Sequence, residues 1–165
     1  MRQHLSSAIR VPVSVILYLS LVLRTGVAAA ATDWPEFRGP DGQGHSTATN
    51  LPIQWSTSKN IAWKTPLPGL GWSSPVVSDG RIFLTTAVSG EAKNLSLRVL
   101  CLDAATGEIL GNVEVFNRAV SYVHNKNSHA SPTPLVEGER LYVHFGHQGT
   151  ACLDLTARSS GATRN

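Results

Sequence analysis

Two stretches of this chain are near copies of one another. SSPVVSDGRIFLTTA (73–87) and ASPTPLVEGERLYVHFG (130–146) each open on a small residue followed by Ser-Pro. Each then crosses an acidic-Gly turn and enters a run of β-formers. The first leads to VLCLDAATGEIL (99–110), the second to TACLDL (150–155). Pro75 and Pro132 stand 57 positions apart, and Cys101 and Cys152 stand 51 apart, so the first copy carries about six extra residues, placed within VSGEAKNLSLR (88–98). A repeat of about 50 residues built from consecutive antiparallel strands matches the blade period of a β-propeller. Blades need one another's faces to cover their apolar surfaces, which is a physical reason for a short chain to repeat itself. A β-sandwich whose hairpins resemble each other by chance is the competing fold.

The strand signals begin near residue 60. NIAWKTPL alternates around Ile61 and Trp63, and SSPVVSDGRIFLTTA reads as strand, Asp-Gly turn, strand. LSLRVLCLDAATGEILGNVEVF adds a strand, a turn at AATGE and another strand, and no segment keeps a helical apolar period. The expected fold is therefore all-β: a partial propeller of antiparallel four-stranded blades whose ring is not closed by this chain. Residues 32–59 are dense in Gly, Pro, Asn, Ser and Thr and read as an irregular wrapping segment. Trp34, Phe37, Leu51, Ile53 and Trp55 are its expected anchors. Residues 60–155 hold the first blade and an incomplete second.

The N-terminus reads as an address. MRQHLSSAIR is basic, VPVSVILYLSLVL (11–23) is apolar, and RTGVAAAATDW supplies small residues. That order predicts a secretory signal peptide over 1–31, cleaved among Ala29, Ala30 and Ala31. About 13 apolar residues are too few for a span, which needs roughly 20. No stable membrane segment is expected after cleavage, and the protein is expected to be secreted or periplasmic. The net charge of +3 comes from arginines in the signal and in the last ten residues. Without a basic patch interleaved with aromatics, nucleic acid is excluded as a partner. Cys101 and Cys152 hold the same place in the two copies, about one repeat-width apart and too far for a disulfide, so two separate buried thiols are expected.

VLCLDAATGEIL resembles the repeat of pyrroloquinoline-quinone-like (PQQ-like) β-propellers, in which Asp-x-x-Thr-Gly closes a tight turn before a docking Trp. Asp103, Thr106 and Gly107 match that pattern, and Gly111 stands where the Trp is expected. DWPEFRGPDGQG, IAWKTPLPGLGWSSPVV and NSHASPTPLVEGERLYVHFG are similar to the opening, first blade and second-blade entrance of a secreted subgroup. The resemblance covers about residues 33–155 and implies structural roles for Ser74, Pro75, Asp103, Thr106, Gly107, Ser131, Pro132 and Asp154. It also implies several further blades. After ACLDL the pattern stops at TARSSGATRN (156–165). A family-like continuation, DGKIVWRN, read one base later gives TARSSGA, so the tail is expected to be frame-shifted; a genuine polar terminus is the alternative.

The chemistry-bearing residues are sparse. His124, His129, His144 and His147 lie close in sequence, but no Cys or carboxylate joins them at ligand spacing, so no metal site is expected; His129 is expected to bond loop backbone. No Gly-x-Ser-x-Gly elbow occurs, and GPDGQG (39–44) neither follows a strand nor carries the Lys-Ser/Thr of a phosphate loop. NLS (94–96) fits a glycosylation acceptor. No catalytic residue and no cofactor are expected. The expected function is an exported, non-catalytic binding or scaffold module that holds a protein or polysaccharide through its loops. The alternative is a piece of a quinoprotein alcohol or sugar dehydrogenase using PQQ and calcium. A sensor ectodomain is the third reading.

Overall fold

The computed structural model describes residues 33–90 and 93–156. The expected signal peptide and residues 157–165 of the expected tail fall outside them. Every described residue belongs to one compact unit.

Seven strands form two antiparallel sheets, and no α-helix occurs among the described residues. The first sheet runs β1 (Val76–Ser78), β2 (Arg81–Ser89), β3 (Asn94–Asp103) and β4 (Ile109–Ala119) in that order; the second runs β5 (Leu135–Glu137), β6 (Arg140–His144) and β7 (Thr150–Asp154). Both first hairpins turn in two residues. Asp79 and Gly80 have φ of 48° and 68°, as a type I′ turn requires, whereas Gly138 alone is positive (56°) in the second copy, the pattern of a type II′ turn. These turns match the right-handed twist of the flanking strands and so fix their register.

The ladders of the two sheets are congruent. Val76↔Phe83 and Ser78↔Arg81 correspond to Leu135↔Tyr142 and Glu137↔Arg140. Arg81↔Asp103, Ile82↔Leu102 and Phe83↔Cys101 correspond to Arg140↔Asp154, Leu141↔Leu153 and Tyr142↔Cys152. The offset is 59 residues for the first hairpin (Val76 to Leu135) and 51 for the last strand (Asp103 to Asp154), so the first copy is eight residues longer, not six. The excess is strand: β2 and β3 have 9 and 10 residues where β6 and β7 have 5 each. The Ser-Pro pairs are not congruent. Pro75 directly precedes β1, but Thr133 and Pro134 separate Pro132 from β5.

The sheets stack head to tail. Val76, Phe83, Leu97 and Val99 on one face of the first sheet meet Val136, Leu141, Val143 and Phe145 of the second, all 7 % exposed or less. Phe83 corresponds to Tyr142 in the ladders, yet Tyr142 lies on the far side of its sheet; the second sheet offers its Leu141 face, the counterpart of Ile82. Unlike faces therefore meet, as in consecutive blades. Each sheet is also a plain meander with no strand crossing to the other, unlike the Greek-key connections common in sandwiches. Across the two sheets, backbone proximity is concentrated between β1 and β5. Burying each large core side chain is worth about 1.5–3 kcal/mol.

Residues 34–35 stitch these inner edges. Trp34 exchanges both backbone bonds with Val77, and Val136 N donates to Pro35 O at 2.9 Å. The remaining expected anchors do not seat: Phe37, Leu51, Ile53 and Trp55 are all exposed, Ile53 at 93 %. The Gly- and Pro-rich chain around them forms no ladder that would press them onto a sheet. NIAWKTPL is likewise not a strand. Pro66 and Pro68 withhold ladder donors, and the segment instead ties its side chains to the first sheet. Trp63 Nε1 donates to Ala104 O and Thr65 Oγ1 to Gly107 O, while Thr86 Oγ1 donates to Pro68 O. Gly69 and Gly71 then let the backbone close on β2, where Leu70 pairs with Ala87; a Cβ at either would come within 2.5 Å of a β2 carbonyl oxygen.

Candidate functional site

The antiparallel order carries the β2–β3, β4–β5 and β6–β7 connections to one end of the sheets. The longest connection, 120–134, and the 3-10 turn Gly146–Gln148 line a cavity of about 230 Å³ there. Buried Phe145 lines it, packed edge-on to Phe116 at 6.0 Å, and Tyr122, Asn127, Ser128, His129 and His147 supply polar atoms.

A hydrogen-bonded cluster underlies the polar side. His129 Nε2 lies 3.0 Å from Ser121 O; a carbonyl only accepts, so this nitrogen carries the proton. Gln148 Nε2 donates to Ser121 Oγ at 2.8 Å, and that hydroxyl donates to His147 Nε2 at 3.1 Å. The expected backbone bond of His129 is thus present. The other two histidines stand apart: His124 Nδ1 accepts from Lys126 N within its own turn, and His144 pairs across strands with Thr150. Among the described residues no group of three His, Cys, Asp or Glu could hold a metal ion.

The loop is held from beneath. Ala130 O accepts from Trp72 N and Ser73 N, and Ser74 N donates to Thr133 Oγ1. Ser131 Oγ donates to Ser128 O and accepts from Ser128 N, closing the turn at the rim. Of the repeat-motif residues, Ser74 and Ser131 therefore support this end, with Pro75 and Pro132 beside them. Asp103, Thr106, Gly107 and Asp154 lie at the opposite end. There Asp103 Oδ1 accepts from Thr106 N, Thr106 Oγ1 and Ala105 N, and the Thr106 bonds hold its carboxyl below the usual range. Asp154 Oδ1 accepts from Thr156 N and Thr156 Oγ1 in the same manner. The motif does two structural jobs at two ends and assembles no reactive group.

Both cysteines are free, and their burial departs from expectation. Cys101 is half-buried and Cys152 exposed, because β7 turns its Cys to the uncovered Tyr142 face. Burial pushes the Cys101 thiol up, with Arg81 opposing. The sequence holds no adjacent cysteine pair. Ser121, Tyr122 and Gln148 carry no motif and went unnoticed in the sequence; the polar SYVHNKNSH run between two strand signals was the available cue. No helix among the described residues is long and apolar enough to cross a membrane. A scan against protein-family models finds no match, and neither does a search of curated proteins.

Proposed function

We propose that the chain is an exported PQQ-like β-propeller repeat protein acting as a non-catalytic binding or scaffold module, here one four-stranded blade and three strands of a second. The observation that carries this reading is the congruent, head-to-tail pair of sheets with connections gathered at one end. That arrangement offers loops on a rigid support, the usual place for recognition. The polar groups at that end bond one another and line a cavity; the Ser121 hydroxyl reaches His147 Nε2, but no hydrogen bond to Nδ1 orients that imidazole as a base among the described residues. A protein or polysaccharide is the partner class, and the periplasm or the medium is the proposed location.

Absorbance titration of the full chain with PQQ and calcium tests the non-catalytic reading. It predicts no saturable spectral change and no alcohol oxidation with an artificial electron acceptor. Saturable quinone binding with turnover would establish the dehydrogenase alternative instead. Mass spectrometry of the exported protein tests the location, with a mature N-terminus expected among residues 30–32.

A further inference from the structure

We infer that the cavity between the 120–134 connection and the 3-10 turn is a saccharide site, taking one neutral, polyhydroxylated ring of a glycan. This deepens the binding-module reading and rests on it. Three observations converge.

The first is charge. Tyr122, Asn127, Ser128, His129, Ser131 and His147 are the polar residues of the lining, which holds no Asp, Glu, Lys or Arg. A site without fixed charge suits a ligand that brings hydroxyls rather than ions. The second is the aromatic face. Tyr122 lines this cavity and is 87 % exposed, so most of its ring is open to a ligand. No hydrogen bond or ring-to-ring contact holds its side chain among the described residues, leaving a flat face on which the C–H side of a pyranose stacks. The third is preorganisation. Ser121, His129, His147 and Gln148 are bonded to one another, and the rim turn is fastened through Ser128, Ser131 and Ala130. The polar floor and the rim are thus already fastened, so binding has only the Tyr122 and Asn127 side chains left to order. The Asn127 carboxamide has no hydrogen bond among the described residues and offers both a donor and an acceptor, the pairing that vicinal hydroxyls need. Phe145 and Pro132 give the apolar floor. The cavity, near 230 Å³, is below the roughly 300–1,000 Å³ of drug-sized pockets and suits a single ring.

The test is amide NMR of the full chain titrated with maltohexaose, cellohexaose, xylohexaose and chitohexaose, with an unrelated decapeptide pool as comparison. At least one neutral oligosaccharide should shift resonances of 121–132 and 145–149, with Kd between about 10 μM and about 1 mM. Y122A and N127A should each weaken it about tenfold or more, with unperturbed spectra elsewhere. I53S, at an exposed site outside the cavity lining, should bind as the wild type does. The inference is overturned if no sugar moves those resonances at about 10 mM, if Y122A binds unchanged, or if only the peptides act there. Those failures leave the PQQ titration untouched, so the module reading stands or falls separately.

Discussion

Cys101 and Cys152 occupy the same rung of congruent ladders, opposite Phe83 and Tyr142, yet they meet different surroundings. Desolvation raises the Cys101 thiol, while Cys152 is open to solvent. Iodoacetamide should therefore label Cys152 about tenfold faster or more, read by peptide mass spectrometry; equal rates would contradict the stacking. At the β3–β4 turn, the depressed Asp103 carboxyl contributes stability that is present above its unfolded value near 3.9 and lost as pH falls through its folded one. D103N should thus melt below the wild type at pH 7, with the gap narrowing as pH falls below the unfolded carboxylate range, as thermal scans across pH will show. Gly107 sits in the same turn with φ of 73°, and an added Cβ would meet Trp63 at 2.4 Å. G107A should cost about 2 kcal/mol or more, against about 1 kcal/mol for G80A, which meets open space. Urea unfolding distinguishes them. The turn was legible as Asp-x-x-Thr-Gly because the bonds that close it are local. The exposure of Cys152 was not, because it depends on which sheet face meets a neighbour.

At the scale of elements, hairpins were the most legible part, since an acidic-Gly pair between β-formers marks both strands within a dozen residues. Register was legible only in the first copy, where Asp79-Gly80 is the turn, because in the second Glu137 already belongs to β5 and Gly138-Glu139 turns the chain. NIAWKTPL had the alternation of a strand but no ladder partner; Pro66 within it and Pro68 just after it withhold ladder donors, and the Gly69–Gly71 approach to β2 is a tertiary fact that alternation cannot report. The Ser-Pro pairs were matched by composition, whereas the ladders place them differently by two residues, so motif identity was a poorer guide than register. Between the sheets, Thr85 is fully buried, and its hydroxyl lies 3.4 Å from Pro132 O and 3.5 Å from Ala130 O, one proton shared by two carbonyls. T85V should cost about 1 kcal/mol by removing that link. L97A, in the core between the sheets, should cost about 2–5 kcal/mol. Equal losses in urea unfolding would mean that the packing of Leu97 contributes no more than one hydroxyl. The saccharide cavity illustrates the converse: its residues come from two connections that only the folded sheets bring together, so no spacing announced it.

For the whole molecule, the central claim is that unlike faces of two repeated sheets meet, leaving the Tyr142 face uncovered in the described residues. The repeat made the two sheets readable; which faces touch was not, because both faces of each sheet carry apolar residues in alternation. A sandwich would bury equivalent faces against each other and put Phe83 opposite Tyr142. Nuclear Overhauser contacts measured on the full chain with a soluble paramagnetic probe address this directly. The head-to-tail arrangement predicts contacts from Phe83 and Val99 to Leu141 and Val143, with Tyr142 and Leu135 strongly broadened by the probe. Contacts between Phe83 and Tyr142, with both protected from the probe, would contradict it.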